Sequence, residues 1–159
     1  MNIVRIDKDN MLNGEGIRAV VWTCGCSHHC FNCQNPETWN PAFGHEFWAQ
    51  DKKYLFELLE KDYISGVTFS GGDPLYVTNA ADVLDLCTEI KQKFPTKNIW
   101  VYTGYTLEEL IKKYSLKYLK NHIDVLVDGE YKEELKDFYY HWAGSTNQRV
   151  IKLKEVADE

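Results

Sequence analysis

The residues IRAVVWT, positions 17–23, run directly into CGCSHHCFNC, positions 24–33, and these two segments indicate the type of fold. The first is rich in β-branched and aromatic residues, which is typical of a β-strand. Outward from it, the sequence predicts further strands at 66–70, 98–103, 123–127 and 149–153, and helices at 53–61, 79–94, 106–119 and 132–137. Strands that alternate with helices indicate βα units and a parallel sheet.

The chain has 159 residues, and a closed eight-stranded (β/α) barrel usually needs about 250. We therefore expect an α/β fold in one domain, residues 1–159, built as an open partial (β/α) barrel of five or six mainly parallel strands. Active sites of parallel α/β proteins form at the carboxyl ends of strands. Four unusual loops should meet there, namely the cysteine-rich segment and residues 70–74, 103–106 and 128–131.

The composition excludes several classes of protein. The net charge is −6, from 18 Lys+Arg and 24 Asp+Glu, and no basic cluster is present, so we expect no nucleic-acid partner. No segment approaches the roughly 18 apolar residues of a membrane span. Residues 1–10 are charged and lack the apolar core of a secretory signal. We therefore expect a cytoplasmic protein with no membrane partner.

The main chemical signal is the C-x3-C-x2-C spacing of Cys26, Cys30 and Cys33. An odd total of five cysteines argues against a disulfide framework, and such close spacing lets one loop surround one metal centre. Iron–sulfur clusters usually have four cysteine ligands, so three would leave one iron open for chemistry. The alternative is a zinc site of three cysteines with His28 or His29, although zinc motifs usually have two separated ligand pairs.

This cysteine loop, placed after the first strand of a partial barrel, resembles the radical S-adenosylmethionine superfamily. The resemblance implies a [4Fe-4S] cluster on the three cysteines, whose open iron binds the amino and carboxylate groups of S-adenosylmethionine. One electron would cleave the sulfonium to give methionine and a 5′-deoxyadenosyl radical. Gly71-Gly72-Asp73 resembles the superfamily's Gly-Gly-Glu motif, which contacts the methionyl amino group, with Asp73 where many members have glutamate.

A narrower resemblance rests on five segments that occur in order, residues 13–18, 70–75, 100–105, 124–129 and 144–149. Together they are similar to the activating proteins of the anaerobic ribonucleoside-triphosphate reductase. The resemblance implies that the protein installs a glycyl radical on the reductase's large catalytic subunit. A flavodoxin- or ferredoxin-type electron donor is expected, and the sequence does not distinguish the two. Two other hypotheses stay open: a short radical enzyme that acts on a small molecule, and a non-catalytic zinc-binding module.

Further residues are candidates for cofactor contacts. Many superfamily members carry an aromatic or aliphatic residue just before the third cysteine, where this chain has Asn32. The adenine contact is therefore expected at the backbone around Cys33, from Asn32 and Gln34, or at Phe31. Four residues end or follow strands that face the site and are expected to contact the nucleotide: Tyr102, Gly104, Asp128 and Gly129.

Several residues allow two interpretations. Cys24 is a fourth ligand or, more in keeping with its strand, a core residue, and Cys87 lies on the apolar face of a helix. His28 and His29 tune the cluster through hydrogen bonds or belong to a solvated loop. The residues Asn147, Gln148 and Arg149 hold the cofactor, dock the partner or end a surface strand. The aromatic segment 138–142 is a packed loop or, if exposed, a protein interface.

Overall fold

The computed structural model describes residues 1–33 and 35–158 and contains one mixed β-sheet. Its seven strands are β1 Asn2–Asn10, β2 Arg18–Thr23, β3 His45–Glu46, β4 Gly66–Gly71, β5 Asn98–Tyr102, β6 Val125–Asp128 and β7 Arg149–Lys152. They are ordered β3-β1-β2-β4-β5-β6-β7, so that β3 and β7 form opposite edges of an open sheet in the described residues. The central strands β2, β4, β5 and β6 are parallel, whereas β1, β3 and β7 join antiparallel.

The expectation of five or six mainly parallel strands is wrong, because the sheet has seven strands and three of its six pairings are antiparallel. Strand β1 was missed because its apolar pattern is weak, and Ile3 is its one buried residue. Backbone pairing with β2 holds it, and the Arg5 guanidinium lies over the Trp22 ring, 5.1 Å from its centroid. Strand β3 has only two residues, too few for a hydrophobic pattern.

The helices are α1 Ala49–Leu59, α2 Ala80–Lys93, α3 Leu107–Tyr114 and α4 Leu116–His122. The start of α3 follows the sequence, because Thr106 and Glu109 form a capping box. The single helix predicted at 106–119 is wrong: Ser115 has a φ of +69°, which ends α3, and its hydroxyl accepts a hydrogen bond from the Tyr118 amide at the start of α4. The helix predicted at 132–137 is a short 3-10 turn, Glu133–Leu135. No described helix combines the length and apolarity needed to cross a membrane.

The two faces of the sheet are buried differently. One face packs against the helices and forms the main core, which includes the row Val21, Phe69, Val101 and Leu126, paired across four strands and wholly buried. Burial of side chains this large stabilises the fold by roughly 1.5–3 kcal/mol each. The opposite face carries a smaller apolar cluster around Trp100, covered by loop residue Trp142 rather than by a helix. This second face is therefore available for a cavity.

Candidate metal centre and cofactor cavity

A cavity of about 700 Å³ lies at the carboxyl ends of the parallel strands. Its lining includes Cys26, Cys30 and Cys33 after β2, Gly71 and Gly72 at the end of β4, Tyr102, Thr103 and Gly104 after β5, and Gly129, Glu130 and Tyr131 after β6. The expectation that four strand-end loops face one site is therefore confirmed. This meeting follows from the fold, since parallel strands end at the same edge of a sheet.

Backbone contacts shape the cysteine loop. The Gly25 amide donates to the Thr38 carbonyl at 2.6 Å, and the Cys26 amide donates to the Trp39 carbonyl at 3.1 Å. Within the loop, the Cys33 amide donates to the Cys30 carbonyl at 3.1 Å. Positive φ values allow the chain to curl: +106° at Gly25, +48° at His29 and +56° at Asn32. The three cysteines of the motif are partly exposed and free of disulfides, which suits metal ligands.

Two thiols of this loop, those of Cys26 and Cys30, favour their protonated form when no metal is bound. Burial raises the pKa of Cys26 to about 11 and also raises the pKa of Cys30. A thiol must lose its proton to become a metal ligand, so metal binding here has to release protons. The donor set nevertheless fits an iron–sulfur cluster, because three thiols of one loop line one cavity.

A single metal ion fits the three cysteines less well. Across residues 1–33 and 35–158, the one group of side chains with ligand atoms within 4.8 Å of one another is Cys26, His28 and Asp73. Cys30 and Cys33 are outside this group. A cluster of several irons spreads its thiolates around a larger body than one zinc ion, so the arrangement favours a cluster over the zinc alternative.

The glycine-rich loop packs directly on the backbone of the cysteine loop. The Gly72 amide donates to the Thr23 carbonyl at 2.8 Å, and the Asp73 amide donates to the Gly25 carbonyl at 2.7 Å. A Cβ atom at Gly72 would lie 2.7 Å from the carbonyl oxygens of Gly25 and Thr38. Glycine is therefore required for this close approach, which leaves the loop's backbone exposed to the cavity.

Asp73 is a structural anchor in this geometry. Its side chain is 1% exposed, and Oδ1 accepts from the Leu75 amide at 2.9 Å while Oδ2 accepts from the Gly104 amide at 3.0 Å. The Thr103 hydroxyl donates at 2.9 Å, and His28 Nε2 lies 2.8 Å from Oδ2. The contact with Asp73 raises the pKa of His28. Four groups thus occupy the roughly four lone-pair sites of one carboxylate.

Tyr102 presents a buried hydroxyl with no hydrogen-bond partner in the described part of the chain. Burial raises the pKa of Tyr102, against the opposing effect of the nearby Arg18 guanidinium. Arg18 is itself wholly buried and donates to the Thr68 hydroxyl and the Val67 carbonyl, both at 2.8 Å. Buried polar groups normally have partners, so the Tyr102 hydroxyl in the cavity lining is a candidate ligand contact.

Some of the residues predicted to contact the cofactor line the cavity, and others do not. Gly71, Gly72, Tyr102, Gly104 and Cys33 line the cavity, whereas Asn32, Asp73 and Asp128 are not among its lining residues. Gln34 lies outside the described residues. The Asp128 carboxylate accepts a 2.8 Å hydrogen bond from the Leu107 amide and forms an ion pair with Arg149. The Arg149 guanidinium therefore binds a carboxylate of the protein itself.

The secondary candidates are placed clearly. Cys24 and Cys87 are wholly buried, which confirms both as core residues. His29 stacks on Trp39, with ring centroids 4.4 Å apart, so it does not reach the other strand-end loops. In the aromatic segment, Phe138 is 84% exposed and Tyr139 is 92% exposed. Phe138 and Tyr139 therefore meet the condition for a protein interface, whereas Trp142 of the same segment packs on Trp100.

Sequence reasoning missed one wall of the cavity, which β1 supplies. Arg5 and Asp7 line it, and Asp7 accepts from Arg5 Nε at 2.8 Å and from the Trp22 indole at 2.7 Å. The β-branched residues Ile3, Val4 and Ile6 were the available signal for this strand. Glu130 belongs to the loop 128–131 that was expected at the site, but its 3.2 Å contact with His28 Nδ1 was not predicted.

Comparison with known proteins gives a consistent result. A family model described as a 4Fe-4S single cluster domain matches residues 12–151. A protein of Enterobacteria phage T4 is 41% identical over 94% of this chain and 93% of its own length. A protein of Pasteurella multocida is 34% identical over 98% and 99%, and one of Escherichia coli K12 is 37% identical over 91% and 94%. All three are named anaerobic ribonucleoside-triphosphate reductase-activating protein.

Proposed function

Because the chain belongs to the family of anaerobic ribonucleoside-triphosphate reductase-activating proteins and matches a 4Fe-4S single cluster domain, we propose that it is a radical S-adenosylmethionine activase. Its protein substrate is the large catalytic subunit of the anaerobic reductase. The product is a glycyl radical on that subunit.

One observation carries this proposal: the three cysteines of the motif and the glycine pair line the same cavity. The thiolates of Cys26, Cys30 and Cys33 hold a [4Fe-4S] cluster, and three ligands leave one iron free for S-adenosylmethionine. Gly71 and Gly72 line the cavity and offer backbone groups to its methionyl part, because glycine has no side chain of its own to block that approach.

When bound, the cluster supplies one electron that cleaves S-adenosylmethionine to methionine and a 5′-deoxyadenosyl radical. That radical takes a hydrogen atom from a glycine Cα, giving 5′-deoxyadenosine and the glycyl radical. The protein's task is to position these groups and to exclude water from them. The electron donor is a small carrier of the flavodoxin or ferredoxin type.

The remaining cofactor residues divide into direct and indirect roles. Tyr102 and Gly104 contact the nucleotide, since both line the cavity and the Tyr102 hydroxyl has no protein partner among the described residues. Cys33 lines the cavity, and the adenine contact expected at the backbone of Asn32, Cys33 and Gln34 stays a prediction. Asp73 and Asp128 act indirectly, because their carboxylates already accept hydrogen bonds from the protein.

Access for a protein substrate is the last requirement. The glycine Cα must come within roughly 3–3.5 Å of the 5′ carbon, which a closed barrel with long loops would prevent. An open sheet of the radical S-adenosylmethionine partial-barrel type, in one domain over residues 1–159, leaves that path free. Phe138 lines the cavity and is also largely exposed, so an inserted loop would contact it. The cytoplasmic location stays a prediction.

The test is anaerobic reconstitution with iron and sulfide, then reduction by dithionite in the presence of S-adenosylmethionine. We expect a four-iron cluster and formation of 5′-deoxyadenosine, measured by chromatography. Replacement of Cys26, Cys30 or Cys33 by Ala should abolish both, whereas Cys87→Ala, a buried cysteine of α2, should retain the cluster. Zinc binding without a cluster, or loss of the cluster in Cys87→Ala, would refute the ligand assignment.

A further inference from the structure

His28 lies in the middle of the cysteine loop, and its ring contacts the loops that follow three other strands. Nε2 is 2.8 Å from Asp73 Oδ2 after β4, and Nδ1 is 3.2 Å from Glu130 Oε1 after β6. After β5, Tyr105 makes an edge-on contact, with ring centroids 4.6 Å apart and planes at 72°. The side chain is 9% exposed, so these contacts enclose it on several sides.

Gly104 completes the enclosure of His28. A Cβ atom at position 104 would overlap the imidazole ring at Cδ2, Nε2 and Cγ. Glycine is therefore needed at this position to leave room for the ring. The Gly104 amide donates a 3.0 Å hydrogen bond to Asp73 Oδ2, the same oxygen that His28 contacts. Both groups are therefore held by one carboxylate oxygen.

These contacts connect His28 to loops outside its own. Each ring nitrogen lies within hydrogen-bond distance of a carboxylate oxygen, and one ring nitrogen also lies within 4.8 Å of Cys26 Sγ. The neighbouring His29 instead stacks on Trp39. Among the described residues, backbone–backbone hydrogen bonds hold the loop at Cys26 and between Cys30 and Cys33, and His28 adds side-chain contacts between the first two cysteines.

We propose that His28 is a positioning residue, which fixes the cysteine loop against Asp73 and thereby sets the distance between the cluster and the glycine-rich loop. The reason is geometric: the Asp73 backbone belongs to the glycine-rich loop, and its amide bonds to Gly25 at 2.7 Å. His28 adds a second, side-chain connection to the same residue. The consequence for S-adenosylmethionine rests on the proposed function, whereas the consequence for the loop itself does not.

The first experiment follows amide hydrogen exchange across residues 26–33 in the metal-free protein. His28→Ala should speed exchange there at least about tenfold, because hydrogen bonds to charged groups are lost. His28→Gln, which retains one contact, should restore part of the protection. The matched control is His45→Ala, which removes a histidine 3.2 Å from Asp51 in another part of the chain and should leave residues 26–33 unchanged.

A double-mutant cycle that combines His28 and Gly104 tests the contact between His28 and Asp73 through the residue that leaves room for the His28 ring. Gly104→Ala should displace the ring and produce the exchange behaviour of His28→Ala, and the double variant should be no faster than either single variant. Unchanged exchange in His28→Ala, or additive effects of the two substitutions, would overturn the proposal.

The second experiment uses the reconstituted, reduced protein and its electron paramagnetic resonance spectrum. His28→Ala should keep its iron content but need about tenfold more S-adenosylmethionine for the half-maximal spectral change. Complete loss of iron from His28→Ala, with normal loading of His45→Ala, would overturn the positioning role, because it would make His28 a ligand. If the wild-type spectrum did not respond to S-adenosylmethionine, the proposed function would fail. The exchange data would still test whether the contact between His28 and Asp73 fixes the cysteine loop.

Discussion

Arg149 Nε donates a 3.0 Å hydrogen bond to Asp128 Oδ1, so a guanidinium that is 48% exposed neutralises a carboxylate that is 1% exposed. The same carboxylate accepts a 2.8 Å hydrogen bond from the backbone amide of Leu107, which is the first residue of α3. Arg149 also reaches Glu108 with a 2.7 Å contact. This pair therefore joins β6, β7 and α3 beside the cavity.

Arg149→Ala should lower the free energy of unfolding by about 1–3 kcal/mol, because it leaves the buried Asp128 carboxylate without its cation. The partial exposure of Arg149 places the effect below that of a fully buried pair. Urea denaturation measures it. Lys52→Ala is the control, since its 2.9 Å contact with Glu89 joins two side chains that are 39% and 46% exposed and should be worth less than about 1 kcal/mol. Equal effects of the two substitutions would contradict this role for Asp128.

The Glu108 carboxyl should titrate abnormally. The hydrogen bond from Arg149 lowers the pKa of Glu108 to about 2 from an ordinary 4.5. A depressed pKa stabilises the folded state above the ordinary value, and that stabilisation is lost as pH falls through the lowered one. Carboxyl-carbon NMR should show the low midpoint in the wild type and a return toward 4.5 in Arg149→Ala. An ordinary midpoint in the wild type would show that the contact does not persist in solution.

Gly71→Ala should destabilise the fold by about 2–4 kcal/mol, through backbone strain at a φ of +103° and a clash with the Thr23 carbonyl 2.5 Å away. Gly129→Ala is the matched control. It shares a positive φ, +96°, but the nearest atom to the new Cβ would be the Asn147 carbonyl oxygen at 3.8 Å, so strain alone should cost about 1–2 kcal/mol. Thermal or urea unfolding compares the two. If Gly129→Ala proved as costly as Gly71→Ala, crowding at the glycine-rich loop would not be the cause.

Tyr102→Phe should separate binding from stability. Removal of a buried hydroxyl that has no partner among the described residues should leave the free energy of unfolding unchanged or raise it by up to about 1 kcal/mol. If that hydroxyl contacts the cofactor, half-saturation by S-adenosylmethionine should need about 5–10 times more ligand. Titration of the reconstituted protein measures this. Unaltered affinity would remove Tyr102 from the cofactor contacts.

The parts of this protein that local sequence encodes were predictable. The spacing of Cys26, Cys30 and Cys33 is a property of one loop, and the capping box at Thr106 marks the start of α3. Burial of Cys87 followed from helical periodicity. In each case the residues that determine the feature are close together in the chain, so their pattern can be recognised without the fold.

Other features depend on contacts between distant residues. His28 and Asp73 are 45 positions apart, and their contact requires the parallel pairing of β2 with β4. The helix break at Ser115 needs a φ of +69°, which serine adopts rarely, so propensity predicted a continuous helix. Strand β1 lacks an apolar face and depends on pairing with β2. These features are set by tertiary structure, which overrides local pattern.

The most direct test of the radical activase is to mix the reconstituted, reduced protein with S-adenosylmethionine and an anaerobic reductase large subunit whose glycines carry deuterium at both Cα positions. We predict a glycyl radical signal in the reductase by electron paramagnetic resonance, together with deuterium in the 5′-deoxyadenosine that forms. The same protein with Cys30→Ala should give neither. Formation of 5′-deoxyadenosine without a glycyl radical and without deuterium would contradict the account, because the hydrogen atom would then come from another donor.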